Sequence, residues 1–195
     1  MPESFPPAEQ SNCVMEPSLS DSLALLSRTP ATLNGLLRGL PDTFAHSNEG
    51  GDSWDAVAVV GHLISGERTD WLPRARIILQ YGEGRTFEPF DMQGHLREIQ
   101  GRTLDQLLDE FADLRTNNLF ELRAWNLQPA DLDRRGVHPS QGVVTLSQLL
   151  ATWAAHDLTH LHQLSRVLAY QYRDAVGSWS RYLGVLHCSG HSASD

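Results

Sequence analysis

The chain has 195 residues, enough for one domain with a sizeable core, and at 41% hydrophobic and 20% charged residues it reads as an ordinary globular protein. Its formal net charge is -9, and all 15 basic residues are Arg. An acidic chain without a basic stripe argues against nucleic acid and against an anionic membrane surface as partners, and no apolar run approaches the ~20 residues that span a bilayer.

Residues 1–18 are rich in Pro, Ser and Glu and read as a disordered segment rather than a secretory signal, because no basic start leads into an apolar stretch. The first helical region covers about Leu19 to Leu40, with Leu23, Leu26, Leu33, Leu36, Leu37 and Leu40 on its apolar face. Pro30 within it predicts a kink or a restart with Thr29 as N-cap. After a loop at Asn48–Gly51, Ser53 is the expected N-cap of a second helix that runs toward Leu79, with Pro73 as a second kink. Residues 81–94 read as a long connection because they hold Gly82, Gly84, Pro89 and Gly94.

A third helix is predicted from near Thr103 to about Trp125, its core face carried by Leu104, Leu107, Leu108, Phe111, Leu114, Leu119 and Leu122. Residues 129–144 read as a second long connection without strand alternation. Thr145 followed by Gln148 is a capping-box pattern, and the fourth helix runs from Leu146 to at least Tyr170. Trp179 to Leu186 is a candidate short fifth helix, and residues 187–195 read as a flexible tail. The domain is therefore expected over residues 19–186, as an all-α four-helix bundle with long connections. Cys13 and Cys188 fall in the two tails without a CxxC partner. This argues against a disulfide framework or a thiolate metal site and points to a reducing cytoplasm.

Nine histidines are candidates for chemistry. His46, His95 and His138 fall in or near predicted loops and His187 and His191 in the tail, so a solvated surface role is the favoured reading for each. His156 and His160 are spaced i, i+4, which stacks two imidazoles about 6 Å apart on one helix face, within reach of a single ion. The competing reading is two ordinary residues that share a face. The segment is not HExxH, since Asp157 follows His156, so a zinc-protease mechanism lacks its general base. His162 points to another side of the helix, where it could meet a second subunit. His62 lies in an apolar stretch of the second helix. Taken alone it reads better as a core histidine bonded to a carbonyl than as a third ligand.

Two segments carry a resemblance to a known family. Trp54 through Asp70 (WDAVAVVGHLISGERTD) and Leu149 through Leu164 (LLATWAAHDLTHLHQL), in this order and on the second and fourth long helices, resemble the DinB/YfiT-like metalloenzymes over roughly residues 19–186. The resemblance implies a four-helix bundle of unusual helix order, often a homodimer. It also implies a divalent metal, usually nickel or zinc, held by three histidines, here His62, His156 and His160. Relatives include transferases and isomerases that use low-molecular-weight thiols, and others described as metal-dependent hydrolases. Three neutral nitrogen ligands leave an open position, as in catalytic rather than structural sites. Such an ion makes hydroxide available from water or ionises a thiol, so the reading is a metal-dependent enzyme acting on a small molecule. Thiol-dependent transfer or isomerisation is its first form and hydrolysis its alternative, with a non-catalytic metal-binding protein as the third. Glu67 reads as a surface carboxylate paired with Arg in preference to a place at the metal's rim, Asp157 as a partner for Arg, and Trp54, Trp71 and Trp153 as core or pocket wall.

Overall fold

The computed structural model describes residues 17–188. Cys13, His191 and nearly all of both predicted tails lie outside these residues.

The first rod of the bundle is broken in two, α1 (Leu19–Leu26) and α2 (Thr29–Leu37). In a continuous helix the Leu26 carbonyl would accept from the backbone N–H of residue 30, but Pro30 has none. The freed carbonyl instead accepts from Arg115 Nη1 at 2.8 Å. Thr29 is not the N-cap. It is the first residue of α2, and its hydroxyl donates to the Asp157 carboxylate. A short α3 (Asp42–Ala45) leads to the second rod, α4 (Ala56–Thr69) and α5 (Trp71–Tyr81). The cap of α4 is Asp55, which accepts from Ala58 N–H at 2.7 Å, rather than Ser53, whose hydroxyl is spent inside the loop on the Gly50 carbonyl and the Glu49 N–H. The break in this rod falls at Asp70, not at Pro73. Pro73 sits in the first turn of α5, where a missing N–H costs nothing.

After α6 (Gly94–Glu98), the third rod α7 (Leu104–Ala124) starts at a Thr103–Gln106 capping box. The second connection is more ordered than expected. It holds α8 (Pro129–Leu132) and an antiparallel hairpin of β1 (Arg135–His138) and β2 (Gly142–Thr145). Four-residue strands are too short for alternation to declare itself. Strand β2 runs directly into α9 (Leu146–Tyr170) through the predicted Thr145–Gln148 box. The predicted fifth helix is two 3-10 turns, Gly177–Tyr182 and Gly184–Leu186. Among the described residues no helix is long and apolar enough to cross a membrane.

Helix α7 packs on α2 and α4, and α9 packs on α1, α4 and α5. The apolar interior falls into two clusters. One gathers Leu33, Leu37, Val59, Val60, Leu63, Leu107, Phe111 and Leu164; the other gathers Leu26, Trp71, Ile78, Leu119, Leu122, Leu150 and Trp153. Between them every rod contributes polar groups to one buried layer. Arg115 of α7 donates to Glu67 of α4 at 2.7 and 3.0 Å, to Asp157 of α9 at 2.6 and 2.9 Å, and to the Leu26 carbonyl at the end of α1. Trp153 Nε1 and Asn118 Nδ2 complete the bonding of Glu67, each at 2.9 Å. Burial opposes the charge on Arg115, yet the hydrogen bonds and charges of Asp157 and Glu67 outweigh it and hold the guanidinium above its usual pKa.

Removing one partner from such a layer leaves buried carboxylates without a counter-charge. Arg115→Met is therefore expected to cost about 3–5 kcal/mol of folding stability, read as a lower urea midpoint with an unchanged slope. A shift of a few tenths of a kcal/mol would show that the layer is not what joins the rods.

Candidate metal centre

The three histidines singled out from sequence come together. His62 enters from α4, and His156 and His160 from consecutive turns of α9. His62 and His160 are buried and His156 is half-buried. His62 Nε2 and His160 Nε2 each lie 3.1 Å from His156 Nε2, and one ligating atom from each of the three lies within 4.8 Å of the others. Two nitrogens each ~2.1 Å from one ion are roughly 3.0–3.4 Å apart at ordinary coordination angles, so the spacing suits a single cation.

The protonation chemistry points the same way. The buried Gln163 Oε1 lies 2.7 Å from His160 Nδ1, where a side-chain oxygen accepts the Nδ1 proton and leaves Nε2 with its lone pair. In the neutral state, His156 Nε2 can then donate to only one of its two neighbours. At least one buried lone pair therefore has no proton to meet, a deficit that a cation removes. Adding protons to the cluster is resisted. Burial, with the neighbouring charges of His160, His156 and His95, pushes His62 down to about 2. Burial, with His160 and Arg115, pushes His156 down to about 3. Both rings thus stay neutral donors well into the acid range.

These histidines form the inner wall of a cleft of about 970 Å³. Trp54 lines it, with its ring centroid 5.0 Å from His62 and near-parallel to His160 at 6.5 Å. Trp71 meets His156 edge-on at 5.0 Å and stacks on the buried Trp153 at 5.9 Å. Phe90 meets His62 edge-on at 5.3 Å. Gly66 lies between, and a Cβ there would come within 3.1 Å of Trp71 Nε1, so the glycine lets Trp71 close against α4. The hairpin tip, His138 to Gln141, overhangs the mouth.

The other sequence expectations divide. Asp157 does pair with an Arg, as expected. Glu67 also pairs with an Arg, but it is buried rather than on the surface, and its carboxylate is fully engaged by Arg115, Trp153 and Asn118 rather than aimed at the histidines. His46 and His187 are exposed as expected, and His162 is exposed on another side of α9 from the cluster. His95 and His138 depart from the surface reading. His95 is 1% exposed, packed 4.6 Å from the Trp54 ring and 5.5 Å from His62, with neither ring nitrogen hydrogen-bonded among the described residues. Only the short helix α6 places it there, seated where Gly61 leaves room for Ile99 and His95. No periodicity in the Gly-rich connection announced that helix. His138 lines the cleft mouth because of the equally unannounced hairpin.

The DinB superfamily profile matches residues 25–164. The chain belongs to the DinB superfamily. Among solved structures it is similar to YfiT from Bacillus subtilis, described as a probable metal-dependent hydrolase with an unusual four-helix bundle topology; identity is 19%, coverage 88% of this chain and 94% of that one, and the TM-score 0.68. At that identity the likeness establishes the bundle topology. Comparison with curated proteins gave no match. The matched span of this DinB-superfamily chain includes His62, His156 and His160.

The depressed histidines set a pH dependence. The unfolded chain takes up imidazole protons near pH 6.5, whereas the folded, metal-free protein holds His62 and His156 neutral down to about 2 and 3. Below pH 6.5 the unfolded state therefore binds more protons, and folding stability falls with pH by up to about 1.4 kcal/mol per pH unit for each histidine. Urea titrations between pH 6.5 and 4.5 should show a shallower fall in a His62→Leu, His156→Leu variant than in the wild type. Equal slopes would mean that these rings are protonated in the folded protein.

Proposed function

We propose that His62, His156 and His160 bind one divalent transition metal, nickel or zinc, through their Nε2 atoms, and that the protein is a metal-dependent enzyme acting on a small molecule. The observation that carries this is the convergence of three imidazoles, two buried and one half-buried, on the wall of an open cleft, with His62 and His156 resistant to protonation. An ion with three nitrogen ligands and an open side acidifies a water or thiol brought to it.

This chain's residues do the rest. Gln163 fixes the His160 tautomer. Trp54, Trp71 and Phe90 wall the site and keep bulk water from its floor. The buried carboxylates Glu67 and Asp157 are bound by Arg115, and the cleft carboxylate Asp70 is ion-paired with Arg74, so none is a free base. Activation of the nucleophile thus falls to the ion rather than to a side-chain base. That favours a thiol cosubstrate as the species activated, in S-transfer or isomerisation. Hydrolysis is the second reading, favoured by the YfiT likeness. A homodimer, drawn from family resemblance, belongs to the same reading, and a monomeric mass by sedimentation at micromolar concentration would remove it.

Tag-free protein is expected to hold about one metal ion per chain, and the His156→Ala, His160→Ala double variant almost none while keeping its helical spectrum. Full metal in the double variant would refute the ligand set. A turnover screen with and without bacillithiol, mycothiol and glutathione then separates the two chemistries: metal-dependent activity confined to the thiol arms supports transfer, and activity on esters and amides without thiol supports hydrolysis.

A further inference from the structure

The cleft contains a second polar feature, away from the histidines. Arg74, on α5, and Asp70, at the α4–α5 junction, line the same cavity as His62 and form an ion pair at 2.6 Å. Arg74 is 7% exposed, and its guanidinium is held from two further directions. Nη2 reaches the Glu88 carbonyl at 3.4 Å, and the Phe87 ring lies 5.5 Å beneath. Both the ion pair and this hydrogen bond use Nη2. Nη1 and Nε donate no hydrogen bond among the described residues, and the side chain lines the cleft.

An i, i+4 ion pair needs no cavity, and on a surface it would be unremarked. Here an Arg side chain more than nine-tenths buried is locked by an ion pair and an aromatic face on the wall of a cleft, with Nη1 and Nε making no hydrogen bond among the described residues. This is how a fixed oxyanion receptor is built, because locking removes the rotamer entropy that an exposed Arg would lose on binding. The other charged lining residues are Asp52 and Asp70, so Arg74 is the permanent cation of this wall. Eight residues separate His62 from Asp70, roughly 12 Å along a helix axis. Gly66, halfway between them, also lines the cleft, with the Trp71 indole packed against it.

The geometry points to Arg74 as an oxyanion subsite, positioned by Asp70, that binds a carboxylate or phosphate of the substrate or cosubstrate while its reacting group lies at the three histidines. The inference rests on the metal-enzyme reading above and narrows its substrate class to small molecules that carry an anionic group apart from the reacting one.

The test loads the full chain with cobalt(II) and titrates ω-mercaptoalkanoates of increasing chain length, following the thiolate-to-cobalt absorption. Neutral alkanethiols of equal length are the reference, and ω-mercaptoalkyl phosphates form a parallel arm. The expected result is one chain length at which the anionic thiol binds at least ~10-fold tighter than its neutral counterpart. The better of the two anionic arms identifies the oxyanion. Arg74→Gln should abolish that preference while leaving the cobalt spectrum and neutral-thiol affinity unchanged. If Arg74→Gln fails to fold, the wild-type length series decides. No anionic preference at any length, or a preference that survives Arg74→Gln, overturns the subsite and leaves the metal centre standing. Absence of a cobalt spectrum overturns the metal centre, and the subsite with it.

Discussion

The bundle is organised around one buried guanidinium. Arg115 stands between the two apolar clusters and bonds to every other rod: the end of α1, Glu67 of α4 and Asp157 of α9. A cation so deeply buried is tolerated only when its donors are met, and five hydrogen bonds to two carboxylates and one carbonyl meet them. The carbonyl is available because Pro30 cannot use it. The proline that breaks the first rod and the arginine of the third are therefore parts of one device, and the Thr29 hydroxyl on Asp157 ties the restart of the rod into it.

This device explains why the histidines meet. His156 immediately precedes Asp157, and His62 lies five residues before Glu67. Once Glu67 and Asp157 are both fixed on Arg115, the axial register of α4 against α9 is fixed as well. A slip of one residue would turn every side chain about 100° around the helix, breaking the carboxylate contacts and scattering the imidazoles together. The aromatic walls follow the same logic. Trp153 donates to Glu67 and stacks on Trp71, and Trp71 in turn abuts His156.

The long helices were legible because their signals are local and repeated. The capping box at Thr145, and the leucine periods of both helices, locate α7 and α9 to within a residue of where they lie. The i, i+4 pair was legible for the same reason. His62 was not, since nothing in a short apolar window tells a core histidine from one that meets two others across a bundle. It took a family resemblance to place it with them. Glu67 and His95 were misread through long-range causes. A carboxylate near a helix end looks exposed until an arginine nearly fifty residues away is seen to cover it. His95 is buried by a five-residue helix whose only warrant is the gap at Gly61.

The same contrast separates scaffold from chemistry. Glu67 and Asp157 are already saturated by Arg115, Trp153, Asn118 and Thr29, and Asp70 on the cleft wall is ion-paired with Arg74, so the layer contributes position and field but no free base. His62 and His156 are kept unprotonated by burial and by the neighbouring imidazoles. A site assembled this way has donors and no acid–base partner of its own. Its reactivity must come from what the donors hold and from what enters the cleft. Variation in the chemistry of such a bundle would therefore fall on the cleft wall, in the hairpin tip and the Asp70–Arg74 end, where side chains can change without disturbing the layer that sets the register.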